Sequence, residues 1–445
     1  MIQWSFTRSL VFLSLFASIA KCQVNVAAYY YPWHTDGFHH DQSYLREKLN
    51  QLPQLGEYDD RDPDVIKQHI AWSKRGNINV WITSWFGPES LTDKTLLSSV
   101  LPTMEGSSMK FALLYESVDR LRLNNQPFTN RTREDMRYIC ENYFSHKNYY
   151  KINDRPVLFI YATRVIARIG KMLDETISNF RKTASASGFK IYLVGDHAYG
   201  PSPTLSTKAF NSLDAITNYD VYGRLGTYYI GEKKLQEFYQ NQNRWKVRAA
   251  LQDCAFMPSV TPGFNDRGVR LEKNHEPLSR KLTEDGTEGS LFKLSLQLAK
   301  KQVDVNADNL LVVTSFNEWH EDTQIEPVVG KTSKVPHNYT LGIEYEGYGT
   351  LYLDILRAVT KDLDLFSSRA PMAQKPSPTK SGITKVPTPK RKVTRSPSFK
   401  PTRNPVQKPR SNQRKISSTI DTASMPFTRK VNIPNPHYNR TSSFS

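Results

Sequence analysis

The chain has 445 residues, 38% of them hydrophobic, and a formal net charge of +17. That length admits one large domain or two or three ordinary ones. Residues 367–445 carry 17 Lys and Arg against one acid, Asp421, so the rest is nearly neutral and the basic character argues for no nucleic-acid groove in the folded part.

In chain order, the N-terminus reads MIQWSFTRSLVFLSLFASIAKCQ, with Arg8 ahead of an apolar run over 10–20 and small residues at Ala20 and Cys22. A bilayer span needs ~20 apolar residues. Residues 1–22 are therefore expected to be a cleaved secretory signal rather than a short anchor, leaving no membrane span in the mature chain and directing it to the secretory pathway and the extracellular space. Sequons at Asn130, Asn338 and Asn439 agree with that route. After cleavage only Cys140 and Cys254 remain, and their spacing leaves one bridge or two thiols equally open.

Eight apolar runs follow: VNVAAYYY (24–31), INVWITSWF (78–86), KFALLYE (110–116), PVLFIYA (156–162), KIYLVGD (190–196), DAITNYDVY (214–222), VRAALQDCAFM (247–257) and NLLVVTSF (309–316). Runs apolar nearly throughout are what strands buried on both faces require. Helix-like segments separate them at 64–75, 93–104, 132–146, 165–184, 233–244 and 288–303, with another at 345–362; 201–213 offers at most a short helix. Asp62-Pro63 and Thr132 followed by Glu134 look like helix starts. Eight strands alternating with helices over 23–366 predict a (β/α)8 barrel with extended loops. The alternative, a doubly wound open sheet, would call for a Gly-rich turn after the first strand, where YYYPWHTDGFHH stands instead. Beyond 366, Pro, Ser, Thr, Lys and Arg dominate, so 367–445 is expected to be a disordered tail, either tethering the protein to an acidic polysaccharide or cell surface or acting as a solvated spacer.

In a parallel barrel the reacting groups sit at the carboxyl ends of the strands. Here the first strand ends in Tyr30, Tyr31 and Trp33, the second in Trp85, the third in Tyr115 and Glu116, and the fifth in Asp196 and His197. The sixth ends in Tyr219, Asp220 and Tyr222, the seventh leads to PGFND and Arg270, and the eighth to Asn317, Glu318, Trp319 and Glu321. Rings supply flat apolar platforms and carboxylates bond hydroxyls, so the mixture suits a carbohydrate. Glycoside cleavage needs an acid for the departing oxygen and a second carboxylate to act as nucleophile or base. Glu318 and Glu321 meet that need if the chain turns out of the strand, since i and i+3 on a continuing strand face opposite sides; a solvated acidic loop is the competing reading. Trp85 and the tyrosines could equally be core, His197 a structural histidine, and Arg270 a partner of a surface acid. His34, Asp36, His39, His40 and Asp41 are metal-ligand types, but no HExxH-like helical frame holds them, so no metal is expected.

The phrases DPDVIKQHIAWSKRGNINVWITSWFGP, KFALLYES, TPGFNDRGVR, SFNEWHEDTQIEP and YGTLYLDILR resemble glycoside hydrolase family 99, the endo-α-1,2-mannosidases and mannanases, over about 24–364. The resemblance implies a (β/α)8 barrel that cleaves internal α-mannosidic linkages in mannan or mannose-containing oligosaccharides with net retention, without metal or other cofactor. It implies Glu318 as base on the sugar 2-hydroxyl, which attacks its own anomeric carbon to give a 1,2-anhydro sugar, and Glu321 as acid. It also implies Trp85 stacked on a neighbouring sugar, with Tyr30 or Tyr31, Glu116, His197, Tyr222, Arg270, Asn317 and Trp319 around the pocket. The chain departs from the family pattern at Arg270-Leu271-Glu272, where Arg-Pro-Trp is usual, which leaves the preferred mannoside open. A glycosyltransferase-associated barrel and a non-hydrolytic carbohydrate-binding protein are the rival readings.

Overall fold

The computed structural model describes residues 23–35, 52–121, 128–167, 172–196, 212–330 and 337–362. The expected leader, the whole expected tail, His197, and Asp36, His39, His40 and Asp41 lie outside the described residues.

The strands are β1 (Asn25–Tyr30), β2 (Val80–Trp85), β3 (Lys110–Tyr115), β4 (Lys151–Ile152), β5 (Arg155–Ile160), β6 (Tyr192–Asp196), β7 (Ala215–Thr217), β8 (Ala255–Phe256), β9 (Ser259–Val260) and β10 (Leu310–Val313). All but β4, an antiparallel hairpin arm on β5, form one parallel sheet in the order β8-β7-β6-β5-β3-β2-β1-β10-β9. Its two end strands, β8 and β9, are halves of a single segment. The N–H groups of Ala255 and Met257 donate to Asp214 and Ile216 on one side, while on the other Val312 and Thr314 donate to Pro258 and Val260. Pro258 lacks an N–H, so the strand is interrupted where its pairing changes sides, and the sheet closes through it into the expected eight-staved barrel.

Helices alternate with the strands. Asp62 caps Pro63–Arg75, its carboxylate accepting the Asp64 N–H at 2.8 Å, and proline suits the first helical turn, where its missing donor costs nothing. Thr132 does not start its helix. Phe128–Asn142 begins earlier, and the Thr132 hydroxyl donates back to the Thr129 carbonyl at 2.9 Å. The run at 247–257 is not one strand but opens as the last turn of a helix: Gly231–Ala250 buries Leu235, Phe238, Tyr239, Gln242, Trp245 and Ala249, and that period carries Val247 outward to 55% exposure. Only Ala255–Phe256 remains as strand. The final helix is Leu351–Thr360, shorter than the expected 345–362.

Two apolar layers result from strand alternation. Ala27, Tyr29, Tyr31, Val80, Ile82, Ala112, Leu114, Val157 and Phe159 fill the barrel interior. Their neighbours Val26, Ala28, Tyr30, Trp81, Trp85, Phe111 and Tyr115 pack outward against the helices. Tyr30 stacks on Trp81 at 4.2 Å and 6°, and the Trp81 indole donates to Ser73 of the first helix at 2.9 Å. Truncating a ring of this kind to Ala costs about 3–5 kcal/mol.

Candidate active site

At the mouth of the barrel, β10 ends at Val313 and the Thr314–Ser315 peptide is cis. The following segment folds back on itself: Ser315 N–H donates to Thr323, and Ile325 and Glu326 N–H return to Ser315 and Phe316. Inside this loop, Trp319–Glu321 is one 3-10 turn, with Glu318 as its cap and Asp322 in the left-handed region at φ 52°. Three residues per turn bring positions i and i+3 onto one face. The spacing of Glu318 and Glu321 therefore places both on one side of the turn, which a strand would not do.

Each carboxylate has its own surroundings. Glu318 is 1% exposed; its Oε1 accepts the His320 N–H at 3.0 Å and lies 3.2 Å from His320 Nδ1, while its own N–H donates to Ser315 Oγ. Glu321 is 6% exposed; its Oε2 accepts the hydroxyls of Tyr219 and Tyr222, each at 3.0 Å, and Arg270 Nη1 is 3.3 Å from its Oε1. Tyr219 feels both acids. Burial first, then the charges on Glu321 and, more weakly, Glu318, hold its phenol well above the usual tyrosine range. Tyr222 is raised by burial and by Glu321, and its ring stacks on Phe264 at 3.8 Å and 11°.

The turn is pinned from behind. The Trp319 indole donates to Glu326 Oε2 at 2.9 Å, which also accepts the Tyr58 hydroxyl, and Arg280 donates to the Asp322 carboxylate and to the carbonyls of Asp322 and Gln324. The Asn317 amide both accepts from the Tyr31 N–H at 2.8 Å and donates to the Tyr31 carbonyl at 3.0 Å, clamping the turn to the end of β1.

The sequence profile of Glycosyl hydrolase family 99 matches residues 23–363. The chain belongs to that family. It is 25% identical over 320 residues to the glycoprotein endo-alpha-1,2-mannosidase of Mus musculus and 26% identical over 322 residues to that of Rattus norvegicus, covering 68% of this chain and 62% of either relative. The GH99 endo-alpha-mannosidase from Bacteroides thetaiotaomicron, in complex with BIS-TRIS-Propane, superposes with a TM-score of 0.57 at 21% identity, over 76% of this chain and 97% of its own, a likeness of fold.

Within this family 99 barrel, strand alternation sorts the expected site residues. Tyr31 is on the inner face, 4.5 Å from the Trp33 ring, whereas Tyr30 is turned outward with its hydroxyl 3.1 Å from His69 Nδ1. Trp85 is also outside. Fully buried, it donates its indole N–H to Asp93 at 2.7 Å and packs near Tyr115 and Tyr138, so it offers no face to a sugar in the barrel mouth. The inward positions of β2 continue Val80, Ile82, Ser84, Phe86; Phe86 lies 6.1 Å from Trp33. Glu116 is buried in the lumen, accepting from Ser84 Oγ at 2.6 Å. Trp319 and Asn317 support the turn instead of lining its open side. Cys140 and Cys254 are both buried free thiols, pushed up to about 11 and about 12 by burial.

Three residues that the sequence places at strand ends or within the motifs were not singled out for the site. Tyr219 could have been found by parity, since 215, 217 and 219 share the inner face. His320 was hidden by its place between the two acids. Asp266, 1% exposed, is joined to Arg270 at 3.0 Å and to His275 Nδ1 at 2.8 Å, an arrangement only folding reveals; that partnership raises His275 above the usual histidine range. Two acids near the site stay protonated more readily than usual. Burial pushes Asp196 up to about 7, and burial with the Glu321 charge pushes Asp220 up to about 8, even though backbone N–H groups bond both. His34, the described member of the metal-type cluster, sets Nε2 3.1 Å from the Asn317 carbonyl.

Proposed function

We propose that the protein is a retaining endo-α-mannosidase acting on internal linkages of mannan or mannose-containing oligosaccharides through participation of the sugar 2-hydroxyl. Glu318 takes the 2-hydroxyl proton as O2 bonds to C1 and the bond from C1 to the departing oxygen breaks; Glu321 gives its proton to that oxygen. In the second half, Glu321 takes a proton from water as the water oxygen bonds to C1. The bond from C1 to O2 opens, and Glu318 returns its proton to O2. Two inversions at C1 give net retention.

The observation that carries this reading is the contrast in partners along one 3-10 turn. Glu321 meets two phenols, which donate to a carboxylate and accept from a carboxylic acid, so its surroundings serve it before and after proton transfer. Among the described residues, Glu318 meets only nitrogen donors, on one oxygen. The matched relatives are named endo-alpha-1,2-mannosidases, which supports the substrate class, and the match spans 62% of their length. The test is incubation with α-mannan and with glucosylated high-mannose glycan, identifying the released fragment and its anomer. An internal cut releasing the α-anomer is expected; transfer to a sugar acceptor, or binding without cleavage, would favour the rival readings. The proposal includes entry into the secretory route through residues 1–22 and attachment to acidic surfaces through 367–445. Removing 367–445 should abolish salt-sensitive polyanion binding and leave turnover intact.

A further inference from the structure

We propose that His320 is a positioning residue for Glu318, holding one carboxylate oxygen so that the other receives the substrate proton. This rests on the reading of Glu318 as the base.

Glu318 Oε1 accepts the His320 backbone N–H at 3.0 Å and lies 3.2 Å from Nδ1 of the same residue. An ionised carboxylate only accepts, so Nδ1 carries the hydrogen in this pair. Both donors converge on Oε1, and among the described residues Oε2 has no donor. The carboxylate therefore cannot rotate without giving up two hydrogen bonds, and Oε2 is the oxygen presented to a 2-hydroxyl. The imidazole is itself held by rings, with Trp33 edge-on at 5.9 Å and His34 at 5.9 Å, and its side chain is 33% exposed. The backbone N–H alone fixes one direction of approach to Oε1; the imidazole adds the second and sets the plane of the carboxylate. His320 acts through Glu318, on orientation rather than on the reacting atoms.

The geometry of the ring supplies the test. The amide nitrogen of Asn stands close to where Nδ1 stands, and that of Gln close to where Nε2 stands. His320→Ala and His320→Gln are expected to lower kcat roughly 10- to 100-fold, the size of one charge-assisted hydrogen bond, with KM changed only a few fold. His320→Asn should recover most of the loss. The variants are assayed on the natural oligosaccharide and on an α-linked disaccharide fluoride ending in mannose, whose leaving group needs no proton from Glu321. The loss should persist on the fluoride. Parent-like activity in His320→Ala, equal behaviour of the Asn and Gln variants, or a loss that disappears on the fluoride would each overturn the proposal. Glu318→Gln is run in parallel. If it is fully active, the assignment of Glu318 fails whatever His320 does; if it is inactive while His320→Ala is not impaired, only the positioning role fails.

Discussion

Asp93 and Glu321 are both buried carboxylates ringed by phenols, yet one lies behind the barrel wall and the other in its mouth. Asp93 accepts the Trp85 indole, the hydroxyls of Tyr138 and Tyr143, and the Glu89 N–H. Four donors fill the four lone-pair positions of a carboxylate. The group is locked, and it fastens the helix after β2 to the barrel. Among the described residues Glu321 has three donors over two oxygens, which leaves one position for a substrate or water. The same residue types become a brace or a reactive group according to which face of the strand they follow and how many partners they meet.

The largest expected effects are on the inner side. Glu318→Gln and Glu321→Gln should each cut hydrolysis by orders of magnitude, with melting temperature and oligosaccharide binding retained; wild-type turnover in either would break the contrast with Asp93. On the outer side, Trp85→Ala should destabilise by about 3–5 kcal/mol, read by denaturant unfolding, while the folded fraction keeps kcat/KM within a few fold. A large loss of kcat/KM with unchanged stability would return Trp85 to the sugar. Tyr222→Phe removes one of the paired phenols and should lower kcat by about tenfold, less on a fluoride leaving group than on a natural one.

The smallest effect concerns Asp220, whose carboxyl is pushed up to about 8 mainly by burial. The folded state keeps a proton that the unfolded chain releases near pH 4, so the unfolded state binds fewer protons over that interval and stability falls as pH rises from about 4 to 8. Asp220→Asn should flatten that decline in stability against pH by on the order of a few kcal/mol. An unchanged slope would mean that Asp220 is ionised in the folded protein.

Much of the barrel was legible because strands buried on both faces must be apolar, and the NEWHE phrase announced the site. What the residues alone did not settle was facing. Naming Tyr30 or Tyr31, and Trp85, requires knowing which parity points inward, and a fully buried strand has no polar side to mark it. The period of 231–250 continued past where the β-like run VRAALQDCAFM was expected to begin, and Val247 on that helix and Leu251 at its C-cap, both exposed, mimicked strand residues. The partners of Glu321 come from the segment after β7 and the loop after β9, so their convergence is a product of closure. Asn317 and Trp319 sit within the motif yet serve its backbone, a distinction made by hydrogen bonds rather than by spacing.

The most direct test is the crystal structure of Glu318→Gln with a mannose-terminated α-linked oligosaccharide bound. The account predicts mannose in the barrel mouth, with its 2-hydroxyl within about 3 Å of the residue 318 side chain and its glycosidic oxygen within about 3 Å of Glu321. A sugar bound with either side chain out of reach, or seated against Trp85 outside the lumen, would contradict it.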